Sequence, residues 1–232
     1  MKRFFVIVAC VAALALCATS CYRSVVTPLG DDLASFTKRV DRVTEYVGVK
    51  NTANDVVIVE PVYNVVYYKM DYIIAAEGND FSIFERTGVR VFADMPINRV
   101  QYGDNFFLLT RTNGQKYFFQ PHKELCGPAA DFMYYPASFL LFAKDAGGNW
   151  GALDPETGAV VLEQKYPNLV YAVDEKGNTA FYAVSKTNKR VSKEGEKTVT
   201  KANFNAMVKE AEQNKTPWPK TGVGVVKVKT LR

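Results

Sequence analysis

Gly148-Asn149-Trp150-Gly151-Ala152-Leu153-Asp154-Pro155-Glu156-Thr157-Gly158-Ala159-Val160-Val161 reads as one complete β-hairpin. Trp150 opens a strand with an aromatic ring that needs a neighbour to pack against, and Gly151, lacking a Cβ, lets a second backbone come close. Asp154 and Pro155 start a turn. Thr157-Gly158 finishes it, because glycine tolerates a positive φ, and Val160 begins a return strand that ends at Tyr166. A lone hairpin cannot bury its aromatic face, so adjacent units must supply the core.

Those units are visible in both directions along the chain. Val57-Ile58-Val59-Glu60-Pro61-Val62-Tyr63-Asn64-Val65 and Val160-Val161-Leu162-Glu163-Gln164-Lys165-Tyr166-Pro167-Asn168-Leu169 share an order of branched apolar residues, a glutamate, an aromatic and an asparagine. Tyr63 and Tyr166 stand 103 positions apart, which is three steps of about 34 residues, a repeat-like period. At that step Val91 to Asn98 forms a second copy, with Ile97 in the place of Tyr63, and Leu125 to Phe132 a weaker third. Strands open in phase at Tyr72, Phe107, Phe139 and Phe181. Polar turns follow at Asn79-Asp80, Asn113-Gly114, Gly147-Gly148-Asn149 and Lys186-Thr187-Asn188, and new strands start at Phe81, Tyr117, Trp150 and Val191.

The unit from Gly148 to Tyr166 resembles the bacterial WG repeat, whose units read strand, polar turn, Trp-Gly-apolar-apolar-Asp, a Thr-Gly turn and a branched strand ending at tyrosine. Phe81-Ser82-Ile83-Phe84-Glu85-Arg86-Thr87-Gly88 keeps the Thr-Gly turn but replaces Trp-Gly, and Tyr117-Phe118-Phe119-Gln120 keeps only the aromatic. The resemblance implies structural roles for Trp150, Gly151, Asp154, Gly158 and Tyr166. It also implies a repeat domain over residues 56–191 whose surface is offered to partners. The family names no ligand, because its members are mostly of unknown function.

The first residues carry a different message. Lys2 and Arg3 precede an apolar run from Phe4 to Leu16, and Ala18-Thr19-Ser20-Cys21 follows. This is signal-peptide architecture over residues 1–20; a retained span would need roughly 20 apolar residues. The segment ending at Cys21 resembles the lipobox of bacterial lipoproteins, which implies a lipid on Cys21 and, with Tyr22 next, forwarding to the outer membrane. Ordinary cleavage nearby would instead leave Cys21 a plain thiol. Of the 4 cysteines, Cys10 and Cys17 leave with the leader and Cys21 takes the lipid, so Cys126 has no disulfide partner and reads as a small buried apolar residue.

The remaining expectations complete the outline: a mainly β fold of degenerate hairpin repeats in a sheet array, with helices flanking it at both ends. Residues 21–30, with Pro28 and Gly30, read as a tether. Leu33, Phe36, Val40, Val43 and Val47 recur near a helical period over residues 31–48, with Asp31 and Asp32 as caps and Gly48 as the stop, which predicts an amphipathic helix. Residues 200–232 predict a helix over Ala202 to Gln213, broken at Pro217-Trp218-Pro219, and a last strand at Val223 to Val228 that closes or caps the array. Lys186, Lys189, Arg190, Lys193, Lys197 and Lys201, interrupted by Glu194 and Glu196, read as a solvated loop.

Chemistry is sparse. The net charge of +5 is mixed along the chain and does not suggest nucleic-acid binding. The 1 histidine, His122, sits in a turn, so no metal, cofactor or catalytic residue is assigned. Consecutive aromatics on a strand send one ring away from the core, which makes Tyr67, Tyr68, Tyr134 and Tyr135, together with Trp218, the candidate binding surface. The expected function is a non-enzymatic binding or scaffold lipoprotein of the cell envelope, recognising an envelope protein, a glycan or a peptide. The rival is an envelope hydrolase with two converging carboxylates.

Overall fold

The structure, a computed structural model, describes residues 24–135, 140–166, 169–173, 179–183, 189–192, 195–198, 200, 202, 206 and 229–231. They fall into two compact units, one running to Gly78 and including Ser82–Phe92, the other holding Asn79–Phe81 and everything from Ala93 onward. The fold is mainly β, in antiparallel sheets.

The first unit carries one meander and most of a second, whose Asp80 and Phe81 belong to the other unit. β1 (Val26–Gly30), β2 (Leu33–Arg39), β3 (Glu45–Asn51) and β4 (Val57–Tyr63) pair in chain order; β5 (Val65–Lys69), β6 (Tyr72–Glu77), β7 (Asp80–Glu85) and the short β8 (Arg90–Val91) follow in the same way. Its core gathers Leu33, Val49, Val59, Ile73, Ala75 and Phe84, with Leu29, Ile58, Tyr63, Val66 and Tyr68 packed around them. Each Leu, Val, Ile or Phe side chain fully withdrawn from water contributes about 1.5–3 kcal/mol.

Three further meanders make up the second unit. They are β9 (Ile97–Tyr102) to β12 (Cys126–Ala129), with β10 (Phe107–Arg111) and β11 (Lys116–Phe119) between; β13 (Asp131–Tyr135), β14 (Leu140–Lys144), β15 (Trp150–Leu153) and β16 (Val160–Tyr166); and β17 (Leu169–Val173), β18 (Thr179–Ala183), β19 (Lys189–Ser192) and β20 (Gly195–Thr198). A core cluster of Phe106, Phe118, Cys126, Tyr134 and Leu141 joins the third and fourth. A final strand, β21 (Lys229–Thr230), lies antiparallel to β9. The five meanders open at Val26, Val65, Ile97, Asp131 and Leu169, 32 to 39 residues apart, around the expected period of about 34.

The correspondence between the first and fourth meanders is residue by residue. In β3 and β4, Val47 faces Tyr63, Val49 faces Val59 and Lys50 faces Val57. In β15 and β16, Trp150 faces Tyr166, Ala152 faces Leu162 and Leu153 faces Val160. Both ladders shift register at the same places, and the turns between them match as well. Asn51 N–H donates to the Val56 carbonyl and Asp154 N–H to that of Ala159, each at 2.9 Å. Asn51 Oδ1 accepts from Ala53 and Asn54 N–H, as Asp154 Oδ1 accepts from Glu156 and Thr157.

Several expectations are corrected. Residues 31–48 form no helix. Asp31 and Asp32, expected as caps, take left-handed φ values of 48° and 59° and make the two-residue turn between β1 and β2, the conformation that a tight hairpin needs. Phe36 lies in β2 and Val47 in β3, while Val40 and Val43 sit, exposed, in the connection where Asp41 Oδ1 accepts from Val43 and Thr44 N–H. The helical spacing thus ran across two strands and their turn. Gly48, expected to end a helix, is inside β3, and Val26–Gly30, expected as tether, is an edge strand in which Pro28 needs no ladder donor. Four-stranded meanders therefore begin before residue 56. They also run past residue 191, since part of the expected charged loop forms the hairpin of β19 and β20. Of the C-terminal helix only Ala202 and Ala206 are described, both helical; residues 223–228 lie outside the described residues.

Candidate binding surface

The second unit builds a cleft from hairpin turns in successive meanders. Between β10 and β11, Arg111 N–H donates to the Gln115 carbonyl at 2.9 Å and Gly114 N–H to that of Arg111 at 2.9 Å. Between β14 and β15, Asp145 N–H donates to Asn149 at 2.8 Å and Gly148 N–H to Asp145 at 3.2 Å. This is a three-residue loop closed by a left-handed residue; Gly114 and Gly148 supply it at φ values of 82° and 89°. Side chains tie each turn down. Asn113 Nδ2 donates to Gln115 Oε1 at 2.9 Å. Asp145 Oδ1 accepts from Asn149 N–H at 2.7 Å, and that bond holds the Asp145 carboxyl below the usual carboxylate range.

Asn113, Gln115, Pro128, Ala129, Asp145 and Gln164 line the cleft, which is open to solvent and has a volume of about 340 Å³. Its volume is at the small end for ligand sites. Three side-chain amides stand beside a carboxylate and a proline-alanine wall; Asn113 Nδ2 and Gln115 Oε1 are joined to each other, and Asn113 Oδ1 accepts from Gln115 N–H at 3.1 Å. That combination suits hydroxyl and peptide groups, which present both kinds of hydrogen-bonding atom.

The motif residues lie in the frame of the sheet. Trp150 and Tyr166 are buried and opposite one another, with the Lys144 ammonium 5.4 Å from the Trp150 ring. The N–H groups of Glu156 and Thr157 lower the Asp154 pKa, and Gly158 takes a φ of 69°. Cys126 is buried, as expected. Burial and then the Asp154 charge push its thiol up to about 11.

The predicted tyrosines fall in different units. Tyr134 is only 4% exposed; its ring lies 4.9 Å from Phe118 and 5.4 Å from Phe106, and its hydroxyl accepts from Gln120 Nε2 at 3.0 Å. It is a core residue of the second unit, where a surface ring was expected. Tyr67 and Tyr68 are half-buried in β5 of the first unit. The Tyr68 hydroxyl reaches Asp71 at 3.0 Å and Asp31 at 3.2 Å, sharing one proton between two carboxylates, and Arg86 donates to the Asp31 carbonyl. Burial first, then the bond to Asp71, pushes Tyr68 up to about 12. Tyr135 pairs with Leu140 through its backbone, while the Tyr135 side chain, Trp218 and Cys21 lie outside the described residues. Sequence reading marked Asn113-Gly114 and Gly147-Gly148-Asn149 as turns but missed that Asn113-Gly114, Asp145 at the start of the second turn, and Gln164 line one cleft.

Among the described residues no helix is long and apolar enough to cross a membrane, and no three His, Cys, Asp or Glu side chains are placed to share a metal ion.

No family model matches the chain, and no curated protein does. Solved structures do resemble it distantly. The computationally designed Ika8 protein is similar at 13% identity and a TM-score of 0.29, over 74% of this chain and 59% of that one. AztD from Citrobacter koseri is similar at 10% identity and a TM-score of 0.32, over 78% and 59%. The β-propeller domain of Cps50 (Swd1) from Myceliophteria thermophila is similar at 10% identity and a TM-score of 0.26, over 70% of each chain. The chain spans 59% of the length of the designed protein.

Proposed function

We propose that this chain is a lipid-anchored, non-enzymatic binding module of the bacterial cell envelope, built from degenerate WG-type repeats. The observation that carries the binding half of this reading is the cleft of about 340 Å³, where hairpin turns of consecutive meanders set amide side chains around one opening. Repeat proteins commonly bind through surfaces assembled in this way from equivalent loops. The cleft's amides favour a glycan or peptide partner, which would meet Gln164 and Gln115 Nε2, since Asp145 and Asn113 are committed to their own turns. The anchoring half rests on the basic start, the apolar run and Ala18-Thr19-Ser20-Cys21.

One experiment addresses both halves. Intact mass of membrane-extracted protein is measured beside a Cys21→Ala variant, and both are crosslinked in cells from a photoreactive residue at position 115. A diacyl or triacyl mass on a chain starting at Cys21, loss of anchoring in the variant, and a crosslink to glycan or peptide support the proposal. An unlipidated soluble chain removes the anchor, and a cleft that crosslinks to nothing removes the binding role.

A further inference from the structure

Val25, just ahead of β1, lies opposite Thr37: Thr37 N–H donates to the Val25 carbonyl at 3.2 Å and Val25 N–H to Thr37 Oγ1 at 3.1 Å. Thr37 faces Val47, and Val47 faces Tyr63. These four residues form one row across the first meander. Beyond the row stands the connection from β2 to β3, and the chain that precedes Val25 enters at the same end. Three apolar side chains stand in water here: Val25 and Val40 are each 61% exposed and Val43 is 91% exposed. Around them Lys38, Arg39 and Arg42 are exposed, as are Asp41 and Glu45. The backbone of the connection is bonded internally. Val40 N–H donates to the Thr44 carbonyl at 3.0 Å, and Asp41 Oδ1 accepts from Val43 and Thr44 N–H at 2.8 Å each. The Arg39 guanidinium donates to the Asp41 carbonyl at 2.7 Å and to the Arg42 carbonyl.

Water satisfies such groups in an ordinary exposed loop. Satisfied by the loop itself, they can leave water with little loss of hydrogen bonding. Two further observations name the medium they would enter. Cys21 precedes Val25 by four positions, a reach of at most about 14 Å, so a lipid on Cys21 would hold this end of the meander against the bilayer. The three cations also outnumber the two carboxylates, and that of Asp41 is turned onto its own backbone, a balance that suits anionic headgroups. We propose that the β2–β3 connection is a second membrane contact, in which Val40 and Val43 enter the headgroup boundary of an anionic bilayer beside Lys38 and Arg42. This inference rests on the lipid anchor proposed above and is independent of the cleft.

The test uses membrane-extracted protein with a polarity-sensitive fluorophore on Val43→Cys or, as control, on Val89→Cys, reconstituted into vesicles of phosphatidylethanolamine and phosphatidylglycerol. Val89 is 58% exposed and follows Gly88, which lies against Ile58 towards the opposite end of β4 from Tyr63. The expected result is emission at position 43 that is blue-shifted, at least twofold brighter than at position 89, and quenched by a nitroxide on the lipid acyl chain. Adding Lys38→Glu and Arg42→Glu should at least halve that brightening. Position 43 as water-exposed as position 89, on a chain whose intact mass shows the lipid, overturns this inference and leaves the anchor standing. An unlipidated mass removes the anchor and this inference with it. Shielding of position 43 in cells but not on pure lipid vesicles assigns the connection to a protein partner and also overturns the proposal.

Discussion

Gly151 lies so close to Leu162 that a Cβ on the glycine would sit 2.5 Å from the Leu162 carbonyl oxygen and 2.7 Å from Gln164 N. Both obstacles are backbone, which cannot rotate aside as a side chain can. Gly151→Ala therefore forces β15 and β16 apart and is expected to cost about 1–3 kcal/mol or more, read as a lower urea midpoint. Gly48→Ala should act alike, since its Cβ would meet Val59 O at 2.6 Å. Wild-type stability in either variant would show that the ladder yields at no cost.

The sequence made this hairpin legible because every one of its demands falls on adjacent residues: the aromatic, the missing Cβ, the turn acceptor and the left-handed glycine. Strand starts at Tyr72, Phe107 and Trp150 were readable for the same reason. Residues 31–48 were not, because Leu33, Phe36, Val40, Val43 and Val47 satisfy a helical spacing by coincidence while belonging to two strands and a turn. Tyr134 and the cleft were hidden for a different reason. Which ring of a pair faces inward, and which turns converge, depend on strand register and on contacts between meanders, which no local pattern encodes.

Asp154 accepts from two backbone N–H groups at 2.8 and 3.0 Å. Asp154→Ala leaves both without that acceptor and should cost about 1 kcal/mol at neutral pH. Its carboxyl titrates lower in the folded chain than in the unfolded one. The stabilisation is thus present above the unfolded value and lost as pH falls through the folded one. Urea unfolding at pH 7 and pH 3 should show the gap between variant and wild type narrowing in acid; a constant gap would mean that charge plays no part.

Tyr68 titrates in the opposite sense. Its folded value, raised to about 12 from 10.0, makes its stabilisation complete below pH 10 and lost as pH rises towards 12. Tyr68→Phe should lower stability by about 1 kcal/mol at pH 8 and flatten the alkaline limb of the stability profile. The same alkaline limb in both proteins would refute the assignment.

The Cys126 thiol, raised to about 11 from 9.0, holds roughly a hundredfold less thiolate than a free cysteine at pH 8. Alkylation at Cys126, followed by peptide mass spectrometry of the intact chain, should be slow in buffer and fast in urea. Rapid labelling under native conditions would contradict its burial.

The matching ladders of the first and fourth meanders separate what this hairpin requires from what it can exchange. Val47 stands where Trp150 stands, and Asp55, at a φ of 61°, stands where Gly158 stands. The aromatic and the turn glycine are thus replaceable ornaments on a shared chassis. Constant in both are the glycine that lets a crossing backbone through and, three residues later, an Asn or Asp whose Oδ1 locks the turn. Further copies of this module are to be recognised by Gly-x-x-Asn or Gly-x-x-Asp ahead of a branched strand, even where no tryptophan marks them.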